Sequence, residues 1–347
     1  MAREKKGLLL GLQSPGLLGG PSLHPRGCRA VREKNPDNDS GTMTRRQSVV
    51  GDPFRLQPPP HKARAFVLSV FLVVGIAHTP SVFAEVVADV ETPAVGGGIR
   101  FFPSNDVFRP LLADPKERQF FMSMLSVETP TDSYTAWSVG FGESLGLVRW
   151  DGQTFQAQLG FLAGVFSQFD WSTPSKDLIN TDFTFGIAAT HRWKGLTGRL
   201  QYYHQSSHLG DELLLNNPIP RLNYSYEALE EVLALENRNI RIYGSAEYLM
   251  SRDPTYLKRW NFHSGAELRG GDSPAFFRPV GGLDVLWKKQ HPDGFNISAK
   301  AGLEMGKFAM RDRHLRLLLE FYDGYSPYGQ FFDIKIRYWG LGIYVGF

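Results

Sequence analysis

The chain has 347 residues, a formal net charge of +3, one Cys, 36 Gly and 22 Pro, and 13% of it is aromatic. The charge is uneven: residues 1–64 hold 12 Lys+Arg against 5 Asp+Glu, whereas residues 85–347 hold 26 against 30. The larger part is mildly acidic, which excludes a basic nucleic-acid surface, and its lack of cysteine excludes disulfides, thiol catalysis and cysteine-ligated metal there.

Residues 1–64 are rich in Pro, Gly and Arg with no sustained period, and a disordered leader is expected. Met43, followed by Thr44-Arg45-Arg46, is an alternative translation start. Lys62-Ala63-Arg64, an apolar run from Ala65 to Ala77, and Val82-Phe83-Ala84 have the layout of a secretory signal peptide cut after Ala84. The run is too short to span about 30 Å of hydrocarbon as a helix. Residues 65–84 are therefore read as signal and cleavage site, and export follows. Residues 85–118, with Pro103, Pro110 and Pro115 and no helical period, are read as an extended periplasmic segment, either a strap or a plug at a barrel mouth.

From residue 119 one pattern repeats. Twelve segments alternate apolar with polar or small residues: 119–128, 134–149, 154–169, 181–193, 196–208, 222–236, 239–251, 259–270, 277–289, 294–307, 314–324 and 332–347. The segment from Tyr226 to Leu235 has helix-forming composition, yet an even strand count needs it as a strand. Connections after even segments are mostly short, as at Asp151-Gly152 and Lys194-Gly195. Those after odd segments are longer, as at 209–221 and 324–331. This parity is the habit of outer-membrane barrels, with turns in the periplasm and loops outside. A chain with no spanning helix crosses lipid only as a closed barrel, because every backbone polar group must be paired internally. The fold class expected is all-β: a closed antiparallel transmembrane barrel of about 12 strands over 119–347, in the outer membrane of a Gram-negative cell.

The last segment places Trp339, Leu341, Ile343, Val345 and Phe347 on one face. A terminal aromatic behind alternating apolar residues resembles the signal read by the bacterial barrel-assembly machinery. That machinery and outer-membrane lipid are the partners expected. No cofactor and no nucleic acid is expected, and the oligomeric state is left open.

Phe102-Pro103 and Asp106-Val107-Phe108-Arg109-Pro110-Leu111-Leu112-Ala113-Asp114-Pro115 resemble a bacterial family known as domain of unknown function 1207. So do His204-Gln205-Ser206-Ser207-His208-Leu209-Gly210-Asp211-Glu212, Asn223-Tyr224-Ser225 and Arg241-Ile242-Tyr243-Gly244. The resemblance covers about residues 95–347. It implies an exported β-rich protein and no particular activity.

His204 and Ser206 carry the one catalytic pattern. Alternation puts Leu200, Tyr202, His204, Ser206 and His208 on one face, read as the lipid side near the outer headgroups. A histidine beside a serine takes its hydroxyl proton and makes it a nucleophile, provided a third group orients the ring. Asp211, Glu212, Asn216 and Asn217 are the candidates for that group. His204-Gln205-Ser206 resembles outer-membrane phospholipase A, which has a His-Gln-Ser-Asn run outside a twelve-stranded barrel, and the His-x-Ser of lipid A deacylases. Ser207 stands where the phospholipase has Asn. A metal site is not expected: His204 and His208 lie roughly 13 Å apart along a strand, and Asp211 with Glu212 are too few oxygens for calcium. Three roles follow: a non-catalytic structural barrel or narrow pore, an outer-leaflet lipid esterase or deacylase, and a surface binding protein acting through its long loops.

Overall fold

The computed structural model describes residues 97–216, 221–271, 277–306 and 314–346. The leader, the signal peptide, residues 85–96, Asn217 and Phe347 lie outside the described residues.

Among the described residues thirteen strands follow in chain order: β1 Gly98–Phe101, β2 Phe120–Glu128, β3 Ser133–Asp151, β4 Phe155–Asp170, β5 Leu178–Trp193, β6 Leu196–Leu209, β7 Tyr224–Glu236, β8 Ile240–Asp253, β9 Trp260–Arg269, β10 Phe277–Lys288, β11 Phe295–Met305, β12 His314–Tyr325 and β13 Lys335–Gly346. Strands β2 to β13 form a closed antiparallel ring of twelve, because each pairs with its sequence neighbours and β13 also pairs with β2. The seam runs from Arg337 opposite Glu128 to Val345 opposite Phe120. β1 stands outside the ring count and pairs with the far end of β3.

The expected segments match these strands to within a few residues. The segment with helix-forming composition is β7, paired on both sides by β6 and β8. Ring closure supplies two ladders there, which outweighs propensities of at most about 0.7 kcal/mol per residue.

One period governs every wall. Along β12, Leu317, Leu319 and Phe321 point out and are exposed, while Arg316, Leu318, Glu320 and Tyr322 point in and are buried. The outward belt continues through Phe161, Phe185, Leu200, Leu303 and Trp339. Trp339, Leu341 and Ile343 of the terminal pattern face out, as alternation required. Among the described residues, no helix is long and apolar enough to cross a membrane.

Of the two readings of the segment ahead of the ring, strap or plug, residues 102–118 take the place of the plug. Val107, Phe108, Leu111, Leu112 and Ala113 are all at most 3% exposed. The segment threads into the ring and bonds to inward side chains on seven strands, β4 to β9 and β11. Three prolines remove backbone donors and hold it extended, so it adds no strand and meets the walls through side chains and isolated amides.

Candidate functional site

β6 carries the His-Ser pattern. Its inward residues Arg199, Gln201, Tyr203, Gln205 and Ser207 are buried, and its outward residues are Leu200, Tyr202, His204, Ser206 and His208. The structure therefore sets His204 and Ser206 side by side on the outward-facing wall, roughly 7 Å apart along the strand. No hydrogen bond joins them. The His204 ring lies against Phe185 of β5, centroids 5.2 Å apart. Ser206 stands between Phe183 on β5 and Ser225 on β7 in the ladder. His208 packs against Phe183 and has Arg221 3.4 Å from Nδ1.

The acids expected to orient the ring go elsewhere. Asp211 and Glu212 open a six-residue helix, α1 (Asp211–Asn216). Leu213 of that helix packs on Ile179 and Leu209, the latter an inward residue, which draws α1 over the barrel mouth. Both acids are exposed and neither bonds to His204. Register supplies a different carboxylate: Glu227 of β7 stands directly opposite His204. Directly opposed residues in an antiparallel pair have Cβ atoms about 4.5–5.5 Å apart. In sequence, 23 residues and a loop separate Glu227 from His204. Alternation on both strands, with β6 and β7 taken as a hairpin, is the signal that points to it.

The lumen is a second chemical centre. Glu117 receives two hydrogen bonds from Arg199, at 2.7 and 3.0 Å. Lys116 donates to Asp182 at 2.6 Å and Arg109 to Glu236 at 2.8 Å. The Leu112 amide donates to Glu267, and the Ser298 hydroxyl donates to the Ala113 carbonyl. The Phe108 ring lies under two guanidinium groups, those of Arg199 and Arg241. Two nearby carboxyls of the plug are pushed opposite ways. Burial raises Asp114 above its ordinary range. Burial acts on Glu117 too, but the charge and bonds of Arg199 outweigh it and hold that carboxyl low.

The loop end is also covered. The connection between β12 and β13 folds inward: Tyr328 bonds to Ser138, the Gly329 amide donates to Asp182, and Gln330 donates to Ser207 and to the Leu222 carbonyl. Between this cap and the plug lies a cavity of about 90 Å³. Among the described residues, no three His, Cys, Asp or Glu side chains are grouped to hold a metal ion.

The model of one family, Protein of unknown function (DUF1207), matches residues 82–347. No curated protein matches the chain. Among solved structures, outer membrane phospholipase A from Escherichia coli is similar at 14% identity and a TM-score of 0.46, over 75% of this chain and 97% of that one. The outer membrane phospholipase dimer of Salmonella typhi with bound calcium gives 14% and 0.46, over 70% and 94%. The beta domain of the Bordetella autotransporter BrkA gives 14% and 0.36, over 66% and 97%.

Proposed function

The chain belongs to the DUF1207 family of proteins of unknown function, and on that premise we propose that it is an integral outer-membrane barrel with a sealed lumen that hydrolyses lipid esters at its outer wall. The apolar outward belt supports the membrane placement, since a ring with Leu319 and Trp339 each 63% exposed needs hydrocarbon around it. Among the described residues, the plug and the folded-in loop both bond to inward side chains across the lumen, which supports a filled barrel over an open pore.

One observation carries the catalytic reading: His204, Ser206 and Glu227 share the lipid-facing side of two paired strands, with Glu227 opposite His204. Ser206 Oγ attacks the ester carbonyl carbon of an outer-leaflet lipid. His204 takes the hydroxyl proton and returns it to the departing alcohol, leaving an acyl-serine. Water, deprotonated by the same ring, then releases the fatty acid. Glu227 holds the imidazole in its working orientation and stabilises the imidazolium. The apolar wall brings a lipid acyl chain to Ser206 without leaving the bilayer.

The test is fatty-acid release from phospholipid or lipopolysaccharide in mixed micelles by the folded protein. Release is expected from the native chain and only background from Ser206→Ala. Glu227→Gln should retain part of the activity. Equal release by native and Ser206→Ala protein overturns the hydrolase and leaves a non-catalytic barrel.

A further inference from the structure

We propose that the outer wall, at the end of the barrel where the short turns lie, holds a phospholipid by a primary ammonium headgroup, as in phosphatidylethanolamine. The nitrogen is bridged between the Glu231 carboxylate and the His191 ring. The proposal rests on the membrane placement given above and not on the hydrolysis, since Ser206 stands near the other end of the same wall.

Alternation with the exposed Trp193, Leu200 and Leu229 puts His191 of β5, Gly198 of β6 and Glu231 of β7 on the outward face. Gly198 is the ladder partner of His191. Its lack of a side chain lets both neighbours lean over it. A Cβ built there would collide with the His191 ring and stand 3.1 Å from Glu231 Oε1. The ring and the carboxylate therefore meet above one bare stretch of backbone, where a single donor group reaches both. Among the described residues neither side chain makes a hydrogen bond or ion pair.

The surroundings say what the donor is. Leu229 and Leu233 flank Glu231 on its own strand, and Leu200 and Ala246 face it in the ladders on either side. A carboxylate among apolar groups is costly unless a cation answers it. Lys194, in the turn between β5 and β6, lies over the Trp193 ring instead. The level is that of lipid headgroups: Trp150 shares a ladder row with His191 through Ala157, and Phe155 stacks on the His191 ring. With the exposed Trp193 these rings form an interfacial aromatic girdle. Bridging an imidazole nitrogen and a carboxylate oxygen takes two N–H donors on the cation. A primary ammonium carries three, whereas the trimethylammonium of choline carries none.

The probes are ether-linked phosphatidylethanolamine and phosphatidylcholine with the same chains, which offer no ester to cleave. The full chain is folded into vesicles holding equal amounts of the two, extracted in detergent, and its retained lipid is counted by native mass spectrometry. Phosphatidylethanolamine should be retained about fivefold over phosphatidylcholine. Glu231→Gln should bring the two to parity, and His191→Leu should fall between. Gly198→Ala fills the meeting point without changing either charge and should also remove the preference; circular dichroism verifies folding in each variant. Failure of the native chain to enter vesicles overturns the membrane placement and this proposal with it. Entry with equal retention of the two lipids, or an unchanged preference in folded Glu231→Gln, overturns the headgroup site alone.

Discussion

β12 and β6 obey the same rule over most of their length and part company near the loop end of β6. Inward, both carry an arginine bonded to a buried carboxylate: Arg316 to Glu304 on one, Arg199 to Glu117 on the other. Outward, both begin apolar. Near the loop end of β12 the outward Asp323 is answered by Arg337 across the ladder, at 2.7 Å. Near the loop end of β6 the outward His204 and Ser206 side chains have no hydrogen-bond partner among the described residues. Outward polar side chains with no such partner have less structural work to do, and this difference is the ground on which chemistry is proposed for the β6 patch.

The inward likeness is the most expensive to break. In Glu117→Gln, Arg199 keeps its burial and loses its countercharge. Removing one partner of a buried ion pair costs about 3–5 kcal/mol. Guanidinium unfolding from lipid vesicles should show the loss, and the plug, not the outer belt, should be the first part to open to proteolysis. A loss below about 1 kcal/mol would mean that the plug contributes little to the fold.

The outward likeness comes next. Leu319 sits at the middle of β12 and is 63% exposed to the outside. Leu319→Arg puts a charge at mid-bilayer, for which about 2–4 kcal/mol is expected. The same unfolding measurement checks it. A tolerated arginine would mean that this wall does not face hydrocarbon, and the membrane placement would fall with it.

These two substitutions also mark what sequence makes legible. Period-two alternation depends only on residues within one strand, so the belt, the strand count and the outward side of His204 could be read directly. The plug could not. Its partners lie 66 residues away for Lys116 and Asp182, 127 for Arg109 and Glu236, and 155 for Leu112 and Glu267. A segment held by single contacts to many strands leaves no period of its own, and its three prolines read equally well as an exposed strap. Glu227 fell between these cases. Its face was predictable, but its place opposite His204 depends on where β7 enters the ladder after the loop. Asp211 and Glu212 looked nearer in sequence, and Leu213 draws them over the mouth instead.

The smallest expected energetic effect discriminates most finely between the two strands. His204→Leu gives β6 the outward chemistry of β12. Since no hydrogen bond is lost and the new side chain faces lipid, stability should stay within about 0.5 kcal/mol of the native chain. Lipid hydrolysis should nevertheless fall to background, because Ser206 loses the group that takes its proton. Stability and activity are then separated at one residue. A loss of more than about 1 kcal/mol would instead show that His204 is held there by its packing on Phe185 or by Glu227, and the unanswered patch of β6 would turn out to be a structural contact like the Asp323–Arg337 pair.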